Sequence, residues 1–202
     1  MVSANSDTRY VPDHVTRSVK IVVLGAFGVG KTTYVEAVSE IKILNTEERM
    51  TQAGELVDSL AGLENKETTT VAMDFGRLTV TDEIVLYLFG APGQPRFHHT
   101  VRALMTGAIA GLVLVDTRQP ERVAESFTAL NLLDEVGLPY AVAVNSFEGH
   151  PQYPEAQIRR SLDLAPDIPL VFLDARHRAS AKAGLIALVE HLLSFPVLEL
   201  SR

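Results

Sequence analysis

Residues 25–32 read GAFGVGKT, directly after an apolar run at 19–24 and directly before a helical pattern at 33–40 that sets Val35 and Val38 on one side. Few folds accept that order of strand, glycine-rich turn and helix. Gly25, Gly28 and Gly30 let the backbone turn tightly and aim successive N–H groups at an anion, and the helix adds the positive end of its dipole. Phe27 and Val29 fill the positions between the glycines. The ammonium of Lys31 is placed to bridge β and γ phosphates, and the Thr32 hydroxyl to ligate Mg²⁺, with Thr33 next in line. The segment predicts an α/β domain that binds a nucleoside triphosphate.

The rest of the chain agrees with a parallel-type sheet. Apolar β-type runs at 70–79, 83–89, 112–115, 140–144 and 170–173 alternate with helical spacing at 120–135 and 179–193. The first two flank Val80, Thr81 and Asp82 and read as a hairpin. The expectation is a mostly parallel six-stranded sheet with one antiparallel edge strand and helices on both faces, an α/β fold with the phosphate loop of a P-loop NTPase after its first strand. Pro154 suits the first turn of a shorter helix. At 202 residues and 47% hydrophobic, the chain has enough apolar mass for one full core. Residues 18–198 are expected to form that single domain, behind a polar, flexible lead-in at 1–17. Residues 41–69 are polar and weakly patterned, and a loop of that length inside a compact domain is usually functional or disordered.

Composition removes several classes of function. A net charge of −7 argues against a nucleic-acid partner, which would need clustered Lys and Arg. Cysteine is absent, which excludes disulfides, thiolate metal sites and thiol-linked lipids. The longest apolar stretch, 107–115, has about half the length a membrane helix requires, so no direct membrane insertion and a cytoplasmic location are expected. His98 and His99 are adjacent, and neighbours on a helix point about 100° apart, so they do not share a metal-ligand face.

Further motifs follow in a fixed order. Thr68, Thr69 and Thr70 precede Val71, where a threonine would cap Mg²⁺. Residues 70–75, TVAMDF, resemble the Thr-Ile-Gly-Val-Asp-Phe segment of Rab-type small GTPases, which implies Thr70 as the switch threonine, with Thr69 the alternative register. FGAPGQ at 89–94 resembles the Asp-x-x-Gly-Gln switch of Ras-like GTPases. That resemblance implies a Gly93 N–H on the γ-phosphate and a Gln94 that orients the attacking water, beside Lys31. Gly90 stands where the family has its aspartate, and Pro92 is similar to the Pro-Gly-Gln form of bacterial MglA-type GTPases, which also lack it. NSFE at 145–148 takes the place of Asn-Lys-x-Asp. Asn145 would brace the loop, Glu148 would accept from a guanine edge, and Phe147 would replace part of the stacking surface that Ser146 lacks. Asp174, Ala175 and Arg176 take the place of Ser-Ala-Lys, with the Ala175 N–H meeting guanine O6; the literal SAK at 180–182 falls inside the last helix.

From about 19 to 193, then, the chain resembles the small MglA-like GTPases of actinobacterial conservon operons, on TTTVAMDFG, APGQ and VNSFEG. The resemblance implies the small-GTPase-like form of the P-loop NTPase fold and a slow GTP-hydrolysing switch in bacterial signalling, with Mg²⁺ as cofactor and GTP or GDP as ligand. It further implies a roadblock-type regulator and a membrane histidine kinase-like partner able to recruit the protein to a membrane. Arg49 and Arg96 are the arginines within reach of the triphosphate on paper, beside one supplied by a partner. Two alternatives stand: a pseudo-GTPase module that signals by occupancy, supported by Gly90, and a small P-loop ATPase.

Overall fold

The computed structural model describes residues 17–45, 73–94, 97–118, 120–150 and 152–195. Residues 1–16 of the lead-in expected at 1–17, and Arg49, Thr68, Thr69, Thr70 and Arg96, lie outside the described residues; Arg17, the last residue of that lead-in, instead opens the first strand, where it pairs with Ile84.

Strand β1 (Arg17–Gly25) runs into the glycine-rich turn and helix α1 (Lys31–Val38). There follow β2 (Leu44–Asn45), β3 (Asp74–Thr79), β4 (Ile84–Gly90), α2 (His98–Met105), β5 (Ala110–Val115), α3 (Pro120–Val136), β6 (Tyr140–Asn145), α4 (Glu155–Ser161), β7 (Leu170–Leu173) and α5 (Arg178–Ser194). The sheet order is β2-β3-β4-β1-β5-β6-β7. The pairs of β1 with β4 and β5, of β5 with β6 and of β6 with β7 are parallel, and β3 is antiparallel to β4. Six principal strands with one reversed match the expected fold. The two-residue β2, pairing Leu44 with Phe75 and Asn45 with Asp74, sits outside β3, so the reversed strand lies one place in from the edge.

Alternation along β1 builds both cores. Ile21 and Val23 join Tyr34, Val35, Leu112 and Leu185 under α1 and α5. Val22 and Leu24 point the other way, to Met105, Leu133 and Ile158 under α2, α3 and α4. Every residue of β5 and β6 is buried, as expected for strands covered on both faces. Helix α1 starts at Lys31 rather than Thr33 because Gly30 already turns the chain, and it ends at Val38 where Ser39 is extended and its hydroxyl donates to Ile41 O.

Candidate functional site

The C-terminal ends of β1, β4, β5, β6 and β7 meet at one edge of the sheet, and β1 lies between β4 and β5. This is the switch point at which open α/β sheets take their ligands. Gly25 and Gly30 hold φ of 138° and 100°, a region that side chains rarely adopt. Among the described residues no side chain caps α1 and no acid stands in its first turn, which suits its positive end to an external anion.

Lys31 is buried, and its Nζ donates to Gly25 O at 2.9 Å and Ala26 O at 2.7 Å. Burial lowers its pKa to about 8, and the Asp74 carboxylate offsets only part of that. A buried ammonium short of negative charge is the complement of an anion. Beside it, Thr32 Oγ1 donates to Asp74 Oδ2 at 2.7 Å, which leaves the hydroxyl lone pairs for a cation. One hydroxyl and one buried carboxylate fit Mg²⁺, a hard cation that draws its remaining ligands from water and phosphate. No group of three or more His, Asp or Glu among the described residues is placed to hold a metal without such ligands. His98 and His99 are exposed.

Asp74 faces Gly90 directly across the β3–β4 hairpin, and opposed residues put their side chains on one face. A Cβ on Gly90 would lie 3.0 Å from Asp74 Oδ2 and 3.1 Å from its Cβ. A carboxylate is thus presented beside Gly90 from the neighbouring strand, through space that only glycine leaves. In the sequence Asp74 stands inside TVAMDF with no role that its spacing assigns. Its signal was register: a hairpin that turns about Asp82 sets residue 74 against residue 90, as Thr79 is set against Val85.

Gly93 presses on the glycine-rich loop, since a Cβ there would fall 2.6 Å from both Lys31 Nζ and Phe27 N. Gln94 follows and lines, with Phe27, His98 and Leu132, a cavity of about 270 Å³ beside the loop. Phe27 itself is exposed.

On the far side, buried Asn145 donates from Nδ2 to Val29 O at 2.9 Å and accepts from the Ala175 N–H at 3.0 Å. One side chain thereby ties the loop around Val29 to the turn after β7. The same contact occupies the Ala175 N–H, so a base carbonyl would have to compete for it. The Arg176 N–H goes to Asp174 Oδ1 at 2.9 Å. Arg176 also bonds the Asp174 carboxylate through its side chain, the main cause that holds Asp174 far below the usual carboxylate range. Exposed Glu148 lies 3.5 Å from Arg176 Nη1. Ser180, in α5, uses its hydroxyl to accept from the Asp174 N–H at 2.9 Å, a structural role.

Three further residues were missed by sequence reasoning. Asp116, just past β5, is wholly buried. Burial pushes its carboxyl up, but bonds from Arg118 and the charges of Arg118 and Arg122 outweigh that and hold it below the usual range. Arg118 Nε and Nη2 donate to it at 2.9 and 2.6 Å. Arg122 Nε stands 3.4 Å from the same carboxylate, and its Nη1 donates to Phe27 O at 3.2 Å. The guanidinium of Arg118 lies 3.6 Å above the centre of the Phe147 ring. An acid closing a wholly apolar strand, with Arg two and six residues on, was the available signal.

Fold and site together define a P-loop nucleotide-binding protein. Residues 23–195 match the family described as conserved hypothetical ATP binding protein, and the chain belongs to that family. It is also similar to an uncharacterized protein of Methanocaldococcus jannaschii, 31% identical over 132 residues that cover 63% of this chain and 69% of the relative. The family description speaks of ATP. No helix among the described residues is long and apolar enough to cross a membrane.

Proposed function

We propose that this chain is a slow, Mg²⁺-dependent GTPase that acts as a molecular switch in bacterial signalling. The observation that carries the reading is Gly93 packed against Lys31 Nζ and Phe27 N, which holds the Pro-Gly-Gln turn at the mouth of the phosphate loop. Lys31 would meet the β and γ phosphates, and Thr32, with its proton donated to Asp74, would turn its lone pairs to the metal. Mg²⁺, when bound, supplies neutralisation of the charge that develops on the phosphates. The Gly93 N–H would report on the γ-phosphate, Gln94 would position water, and Thr70 would close over the site from the first switch segment. The stimulating arginine would come from Arg49, Arg96 or a partner in trans. By resemblance, that partner is a roadblock-type regulator, with a membrane histidine kinase-like protein as recruiter.

Guanine would be read by Glu148 once Arg176 releases it, with Asn145 holding the loop. A second reading, ATP, is favoured by the family description and by the engaged Ala175 N–H. Displacement of a bound fluorescent nucleotide by GDP and by ADP separates the two: preference for GDP supports the first reading, and preference for ADP the second. Single-turnover phosphate release tests hydrolysis. Gln94→Leu should leave nucleotide affinity nearly intact and slow release by about ten-fold or more. Equal turnover in that variant sinks the role of Gln94, and GTP held unchanged over hours by the native chain makes it an occupancy module.

A further inference from the structure

Long planar side chains are the usual support for a nucleotide base, and Ser146 has none to offer. Two residues of neighbouring strand ends supply one. Strands β5 and β6 run parallel with Val115 beside Val144, so the turns that follow them emerge side by side, carrying Arg118 and Phe147. The Arg118 guanidinium is locked in its plane by the fork of bonds to Asp116, which is 0% exposed, and it stacks on the Phe147 ring at 3.6 Å. Its side chain keeps 28% of its surface open. Asn145, two residues before Phe147, fixes this corner to Val29 of the phosphate loop. A guanidinium held this way has little freedom left to lose on binding, and its flat face accepts aromatic rings.

We infer that the paired planes of Arg118 and Phe147 form the platform on which the nucleotide base lies, in place of the long side chain absent at Ser146. The inference rests on the nucleotide-binding reading above and adds a binding residue from a strand end that none of the recognised motifs include. Stacking has no preference for one purine edge, since every base has a π face. The platform therefore supports GDP and ADP alike, and selection is left to Glu148 and the turn at Asp174.

The test compares GDP, ADP and inorganic tripolyphosphate, each with Mg²⁺, by calorimetric titration of the full chain. Arg118→Ala should weaken both nucleotides roughly ten-fold, while tripolyphosphate, which has no base, should stay within about two-fold. Phe147→Leu, which keeps apolar bulk and removes the ring, should give the same pattern and carries the test if Arg118→Ala fails to fold. Equal weakening of nucleotides and tripolyphosphate would make Arg118 a brace of the phosphate loop and overturn the platform. Undiminished nucleotide binding in both variants would overturn it as well. If the native chain binds tripolyphosphate and no nucleotide, the nucleotide reading itself falls and the platform with it.

Discussion

The phosphate half and the proposed base half of this site rest on opposite electrostatic terms. Around Lys31 the protein leaves a buried cation with too little negative charge, at a helix start with no cap of its own. Around Asp174 the charges already face each other: Asp174 bonds Arg176, Arg176 stands near Glu148, and the Ala175 N–H bonds Asn145. A ligand entering the first half satisfies groups that were waiting. One entering the second exchanges one hydrogen bond for another, and such exchanges have small net value. Affinity should therefore come from the phosphates, and discrimination between bases should be modest.

The sharpest way to break the phosphate half is Gly93→Ala. The new methyl would meet Phe27 N at 2.6 Å and Ala26 C at 2.7 Å, and backbone atoms there yield only by moving the loop. Nucleotide affinity should drop roughly 100-fold, matching an overpacking cost of ~3 kcal/mol, and titration of GTP would show it.

Next in size is the exchange between Asp74 and Gly90. Gly90→Asp forces a second carboxylate against the first and should destabilise the fold by roughly 2 kcal/mol in denaturant titration. Adding Asp74→Ala should recover most of that loss, because the acid then comes from the other strand of the same opposed pair. A double variant no more stable than Gly90→Asp alone would refute the exchange.

Smaller again is a pH effect. The free Lys31 loses its proton near pH 8, below its ordinary 10.5, and a bound phosphate would restore the charge. Binding then takes up a proton above that pH. Affinity should be flat below about pH 8 and fall above it by at most about ten-fold per pH unit, with no such slope in Lys31→Met. For the free protein the sign is reversed: the unfolded chain binds more protons between about 8 and 10.5, so stability from this group rises across that window.

Much of the phosphate half was legible because its residues are contiguous: Gly25, Gly30, Lys31 and Thr32 act through one turn of chain, and spacing reveals them. Asn145 was legible for a similar reason, as the polar residue that closes a buried strand. Asp74 was not, because its partner Gly90 is distant in sequence and meaningful only in register. Asp116 and Arg118 were hidden by the strength of the neighbouring motifs. Their service depends on Phe147, which belongs to another strand end. The two-residue β2 gives too short a pattern to read. The fold itself needed little more than the alternation of apolar strands with helical spacing, since each strand from β5 onward is an apolar run apart from Asn145 at the end of β6.

The measurement that bears most directly on the site as a whole is the Mg²⁺ dependence of GTP and ATP affinity in the native chain and in Asp74→Ala. If Asp74 holds Thr32 for the cation, Mg²⁺ should tighten triphosphate binding in the native chain and have little effect in the variant, while binding without Mg²⁺ stays similar in both. An equal Mg²⁺ effect in the two proteins would contradict a metal site built from Asp74 across from Gly90.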